Sequence, residues 1–391
     1  MSRNFDAKGI DRVLADAVEQ GAVPHVAAIA ADADGVFYEG GAGVRIAGES
    51  TDPVTTSTQF RIMSMTKMIA TTAALQQVER GQLDLQAPVE EYLPEFADLQ
   101  VLTGFDNDEP KLRAPKSKAT IHQLITHTSG LGYWFWNDQL VRYEAATGIP
   151  NVVPGSAEAF KAPLVADPGT EFVYGISTDW LGKVVEAVGA ANLDTIVSEN
   201  ITGPLQMHDT MFILDDARKA NAVTVHIKDD DRRWTSAGEI LNQQPDWYAG
   251  GHGLYSTPRD YIRFERALLR GGDLDGARIL SQGTVDTAFQ NQIGALSFPA
   301  EIPTADPATT DSMHAGPGYK WGYGLMLNED DIPGRRRAGT GAWAGLFNTH
   351  FFIDRTTGIA ASIYTNSLPF ISHNEAWKMY VDFEEALYAA L

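Results

Sequence analysis

Residues 60–67 read Phe60-Arg61-Ile62-Met63-Ser64-Met65-Thr66-Lys67, and the run behind them is apolar at Met65, Met68, Ile69, Leu75 and Val78. That recurrence predicts a helix buried on one face, and Gly81 stands where such a helix stops. Ser64 falls in the first turn. Lys67 lies three residues on, so hydroxyl and amine share a face. A serine hydroxyl is a poor nucleophile until something takes its proton. A lysine can take it only where burial or a nearby positive charge lowers its pKa. The helix N-terminus adds the Ser64 backbone N–H, which has no intrahelical partner and can hold a developing oxyanion. Ser-x-x-Lys occurs once in the chain but is short enough to arise by chance, so its weight depends on the remaining sequence.

The chain's 391 residues, 44% of them hydrophobic, are enough for a sizeable core and two subdomains. A formal charge of −21, from 30 Lys+Arg against 51 Asp+Glu, repels nucleic acid and anionic membranes, so neither is expected as a partner. With no cysteine there is no disulfide, thiolate metal site or cysteine nucleophile. The opening Met1-Ser2-Arg3-Asn4-Phe5-Asp6 lacks an apolar signal core, and no run approaches a membrane span. The expectation is a soluble, cytoplasmic protein whose oligomeric state is open.

Outward from residues 60–81, the N-terminal side reads as a helix over 6–20 with Ile10, Val13, Leu14 and Ala17 on one face. A hairpin follows, from His25–Ala30 through Asp32-Ala33-Asp34-Gly35 to Val36–Gly40. On the C-terminal side, residues 102–118 read as an exposed excursion. Thr120-Ile121-His122-Gln123 reads as a capping box. His122 and His127 are five apart, off one helix face, and read as hydrogen-bonded structural histidines rather than metal ligands. Tyr133-Trp134-Phe135-Trp136 cannot all face one core; they either wall an apolar cleft or anchor a loop. Tyr174 sits at an extended-to-helix junction before Ser177, where a phenol either projects into a cleft or is simply packed. Gly250-Gly251-His252-Gly253 lacks phosphate-loop spacing and reads as close backbone packing. Thr257-Pro258 opens a helix. Strands are expected over Trp321–Met326, Leu346–Ile353 and Ile359–Tyr364, then a helix capped by Ser372 and Glu375.

These elements imply an α/β (α+β) fold. Residues 1–80 and 225–391 build an α/β domain with an antiparallel sheet flanked by helices from both chain ends. Residues 81–224 form an inserted, mainly helical domain, with the active-site cleft between the two.

The ordered elements Ser64-Met65-Thr66-Lys67, His127-Thr128-Ser129-Gly130-Leu131, Tyr174 before a helix, and Gly339-Thr340-Gly341-Ala342-Trp343-Ala344-Gly345 opening a late strand make the chain similar to the serine β-lactamase and penicillin-binding-protein superfamily. Within it the chain resembles the class C β-lactamase-like branch, most closely the family VIII carboxylesterases. The resemblance spans nearly the whole chain. It implies a β-lactamase/DD-peptidase-like fold, with Ser64 as nucleophile, Lys67 as its proton acceptor and Tyr174 sharing the relay, its phenolate favoured by the Lys67 ammonium. It implies an oxyanion hole from the N–H groups of Ser64 and Leu346, and neither metal nor organic cofactor.

Two departures from the family pattern bear on substrate. Tyr174-Gly175-Ile176 lacks the asparagine of Tyr-x-Asn, and Trp343-Ala344-Gly345 replaces the lysine of Lys-Thr-Gly by an indole. Both disfavour a carboxylate-bearing antibiotic or cell-wall stem. They favour a neutral acyl substrate against Trp343, Ala344, Gly345, Tyr133, Trp134 and Trp136. The expected activity is hydrolysis of a small-molecule, short-chain carboxylic ester through an acyl-enzyme. The alternatives are a β-lactamase, an amide or D-peptide hydrolase, an acyltransferase of the same fold, or a non-catalytic binding protein.

Overall fold

The computed structural model describes residues 5–241, 245–371 and 375–391. Helix α1 (Lys8–Glu19) leads into β1 (His25–Asp32) and β2 (Val36–Gly43), as the hairpin reading requires. The turn is held by Asp32 Oδ1, which accepts from the N–H groups of Asp34 at 2.8 Å and Gly35 at 3.0 Å. The C-terminal half adds β3 (Tyr319–Trp321), β4 (Met326–Asn328), β5 (Gly341–Gly345), β6 (Thr349–Asp354) and β7 (Ile359–Tyr364). The seven strands form one antiparallel sheet in the order β3-β4-β5-β6-β7-β1-β2. The β1–β7 pair joins the two ends of the chain, with Ile29 opposite Ser362 and Ala28 opposite Ile363.

Alternation along β1 assigns the two faces of the sheet. Val26, Ala28 and Ala30 pack with α1 and with α5 (Ala376–Ala390), through Ile10, Leu14, Met379, Phe383 and Leu387. Ala27, Ile29 and Ala31 face the larger cluster, which holds α2 (Thr66–Glu79) and α4 (Pro258–Leu269), with Tyr261 and Phe264 buried. Helix α3 (Ser177–Gly189) lies against α2.

Several expectations are corrected. Helix α2 is buried all round from Thr66 to Gln77, not on one face, because α3 packs against it and its apolar residues lie within the larger core cluster. Ser64 sits just ahead of it, in the 3-10 turn Met63–Met65. The run 321–326 is a tight hairpin rather than a strand: Gly324 takes φ +78° and a Cβ on Gly322 would meet the Ala288 carbonyl at 2.0 Å. The strand expected over Leu346–Ile353 starts only at Thr349, after a turn where Asn348 adopts φ +59°, and Gly341–Gly345 is a strand of its own. The excursion at 102–118 carries a hairpin, Val101–Asp106 with Glu109–Arg113, whose first two residues are buried. The Thr120/Gln123 capping box and the Thr257 cap are both present. Ser372 lies outside the described residues. None of the described helices is long and apolar enough to cross a membrane.

Helix α4 buries one carboxyl completely. Glu265 is 0% exposed, its oxygens have no well-aligned hydrogen-bond partner among the described residues, and desolvation lifts its pKa well above the ordinary glutamate range. The folded protein therefore keeps a proton that the unfolded chain has released above about pH 4.3. Fewer bound protons in the unfolded state mean stability falls as pH rises. Glu265→Gln is expected to raise the thermal midpoint at pH 8 and to close that gap as pH falls to 5, checked by melting curves of both proteins across that range.

Candidate active site

Strand β5 and the turn carrying Ser64 are packed without a gap. A Cβ on Gly345 would meet the Ile62 carbonyl at 2.3 Å and Met63 Cβ at 3.0 Å, so only glycine lets the strand end approach so closely. Thr349 Oγ1 donates to the Ile62 carbonyl at 3.2 Å, and Tyr261 Oη donates to the Met65 carbonyl at 2.9 Å. The turn is thus clamped by β6 and α4. Ser64 remains half-buried at its surface.

Lys67 is 1% exposed. Its Nζ donates to Ser64 Oγ at 3.2 Å, to Tyr133 Oη at 2.9 Å and to the Gly251 carbonyl at 2.8 Å. Three acceptors fill the three donor positions of an ammonium. Burial lowers the Lys67 pKa to about 7, against the opposing attraction of the Asp179 carboxylate. An amine in that condition gives up its proton near neutral pH and can then take one from Ser64 Oγ.

Tyr174 closes the group. It is 7% exposed, and its ring lies 4.9 Å from Lys67 Nζ. Trp343 Nε1–H donates to Tyr174 Oη at 2.9 Å. Burial raises the phenol's pKa, partly offset by hydrogen bonds from Ser64 and Trp343. The expected phenolate is therefore corrected to a protonated phenol: loss of hydration outweighs what the hydrogen bonds from Ser64 and Trp343 provide. A neutral phenol beside Ser64 can donate a proton.

The expected substrate-wall residues divide. Tyr133 is 4% exposed, stacks on Phe135 at 4.9 Å and uses its hydroxyl on Lys67, so it lies behind the site rather than in its wall. Trp343, 7% exposed, is a hydrogen-bond donor to Tyr174 before it is a wall. Trp134 Nε1 donates to Asp306 Oδ2 at 3.3 Å, which ties it to the loop at 300–316. Trp136 is half-buried with its ring 5.6 Å from that of Tyr174, and Ala344 and Leu346 are also half-buried. His127 packs on Tyr174 at 4.7 Å and accepts from the Gly175 N–H at 3.4 Å; His122 meets the Gln292 carbonyl at 3.0 Å. Both are structural, as read.

The sequence reading missed one participant. Asp179, 0% exposed in the first turn of α3, accepts from the Gly251 N–H at 2.7 Å. A carboxylate there looks like an ordinary solvated helix-start residue. The signal that could have exposed it is Gly250-Gly251: a Cβ on Gly251 would meet the Asp179 carboxylate at 2.5 Å.

With this arrangement of serine, lysine, tyrosine and tryptophan established, comparison with known proteins is informative. The beta-lactamase family matches residues 10–384. The chain belongs to the beta-lactamase family. It is 32% identical over 346 residues to the acyltransferase mokF of Monascus pilosus, covering 84% of this chain and 82% of the relative. It is 31% identical over 365 residues to the lovastatin esterase of Penicillium rubens, covering 90% of each. The solved structure of a mutant simvastatin synthase from Aspergillus terreus superposes with a TM-score of 0.83 at 28% identity, over 97% of this chain and 94% of that one. The fold is that of the beta-lactamases and DD-peptidases: a large antiparallel sheet with mixed α/β content. Relatives within this family thus include both an esterase and acyltransferases.

The Trp343–Tyr174 hydrogen bond makes a prediction for this beta-lactamase-family site. Trp343→Phe keeps the ring but leaves the phenol oxygen without its donor. The rate of Ser64 labelling by a serine-reactive phosphonate is expected to fall about tenfold, the worth of one buried hydrogen bond. An indole that serves only as a wall predicts an unchanged rate.

Proposed function

We propose that the protein is a serine hydrolase of the family VIII carboxylesterase type, cleaving short-chain carboxylic esters through an acyl-enzyme. The observation that carries this reading is the buried Lys67 amine, 3.2 Å from Ser64 Oγ and lowered to about 7. In the first half-reaction Ser64 Oγ attacks the ester carbonyl while its proton passes to neutral Lys67. The tetrahedral oxyanion sits at the N–H groups of Ser64 and Leu346. Collapse breaks the bond to the alcohol oxygen, which leaves with the proton of Tyr174; Lys67 then restores the phenol. Water repeats the sequence on the acyl-enzyme, its proton going to Lys67, and releases the acid.

A neutral substrate is supported by Trp343, which stands where a carboxylate-binding lysine would and commits its N–H to Tyr174. The half-buried Trp136 and Ala344 supply apolar surface near the phenol. A second reading, transfer of the acyl group to an alcohol instead of water, is favoured by the acyltransferase names among the relatives. The chemistry is the same up to the choice of nucleophile.

Turnover of p-nitrophenyl acetate, p-nitrophenyl butyrate and a chromogenic cephalosporin decides the substrate class. The esters are expected to be cleaved with the cephalosporin far behind, and Ser64→Ala to be inactive on all three. A faster cephalosporin overturns the ester reading, and an active Ser64→Ala overturns the nucleophile. The base must be unprotonated, so kcat/KM is expected to rise with pH through a limb at about 7 set by Lys67. Added short-chain alcohol that diverts acyl product from acid to ester marks the transferase reading.

A further inference from the structure

Asp179 is fully buried, and burial raises its pKa to about 6 against the pull of Lys67. Oδ1 accepts from the Gly251 N–H at 2.7 Å, while Oδ2 has no well-aligned partner among the described residues. A buried carboxylate oxygen left in that state is costly, and an apolar or amide residue would be cheaper. What the carboxylate does have is Lys67. The Gly251 peptide bridges them, N–H to Asp179 and carbonyl from Lys67 Nζ at 2.8 Å. The Tyr133 hydroxyl forms a second bridge, accepting from Lys67 at 2.9 Å and lying alongside the Asp179 carboxylate.

We propose that Asp179 is a positioning residue for Lys67: it holds the amine beside Ser64 through the Gly251 peptide and the Tyr133 hydroxyl, and supplies its buried counter-charge. The proposal extends the hydrolase mechanism above and rests on it.

The other titratable groups facing this pair do not change charge near neutrality. Burial raises Tyr133 and Tyr174, so both stay protonated. Burial lowers His127 and His252, so both stay neutral; His252 Nδ1 stands 3.6 Å from Asp179 Oδ1. Beyond His252, the Arg61 guanidinium is directed to the Tyr255 hydroxyl at 2.9 Å and to Glu239 at 3.9 Å. Lys67 and Asp179 are thus the pair whose mutual charge sets the ionisation of the base. Removing the negative charge leaves the ammonium uncompensated and drives Lys67 toward its neutral form.

The test compares Asp179→Asn with wild type on p-nitrophenyl butyrate, with active sites counted by phosphonate titration so that each rate is per folded, competent site. Asparagine can still accept from the Gly251 N–H but carries no charge. The expected result is a kcat per site lower by about tenfold, KM within about twofold, and an acid limb moved to lower pH by about one unit. Gly251→Ala supplies the complement. It keeps the charge but pushes the carboxylate away from the peptide, and is expected to lower kcat per site with the acid limb left nearer its wild-type place. If Asp179→Asn gives unchanged kcat per site and an unmoved limb, Asp179 is a fold residue and the proposal fails. If Asp179→Asn cannot be titrated, an unchanged kcat per site in Gly251→Ala overturns it equally. An active Ser64→Ala would instead sink the hydrolase mechanism beneath it, so the two failures are told apart.

Discussion

A primary amine held out of water, three residues from a serine, is the constraint on which this structure depends. An ammonium in a dry site is costly unless its donors are all used and a counter-charge is near. Lys67 meets both conditions with Ser64, Tyr133 and Gly251 as acceptors and Asp179 as the charge. Those groups come from four separate parts of the chain, so placing one amine fixes how the Ser64 turn leading into α2, the aromatic run at 133–136, α3 and the glycine run at 250–253 meet. Desolvation outweighs the attraction of Asp179, since the net shift of Lys67 is downward. That balance keeps the amine available as a base.

The geometry also explains why a tryptophan can replace a lysine on β5. A cation at 343 would lie beside Tyr174 and close to Lys67, adding positive charge that a carboxylate-bearing ligand would neutralise. The indole makes the same kind of hydrogen bond to Tyr174 without the charge. Its ring is held at 4.7 Å from Trp321 and 4.8 Å from Tyr174. The result is a rigid apolar surround for the phenol, which accounts for its raised pKa and fits it to donate a proton.

Much of this was legible in the sequence wherever the information is local. The Thr120/Gln123 box, the Thr257-Pro258 start and the Asp32–Gly35 turn follow from side-chain hydrogen bonding and backbone preference within a few residues. The order of Ser64, Lys67 and Tyr174 was legible because their chemistry requires those residue types. Three things were not. The breaks at Gly322–Gly324 and near Asn348 depend on how closely another backbone approaches. The depth of Tyr133 depends on which of four consecutive aromatics the fold buries, and composition is blind to that. Asp179 depends on burial of a helix-start carboxylate, which sequence pattern assigns to solvent by default.

The glycines at the site follow from the same logic. Gly345 is required because β5 must come within contact of the Ile62 carbonyl for Leu346 to lie next to the Ser64 turn. Gly251 is required because its peptide must reach Asp179 on one side and Lys67 on the other. Neither residue has chemistry of its own. A methyl group would press on the Ile62 carbonyl at Gly345 and on the Asp179 carboxylate at Gly251, and the site tolerates little loosening. The chain ends supply the sheet and the serine, the middle supplies the tyrosines and the carboxylate, and two missing Cβ atoms let the parts close to hydrogen-bonding range.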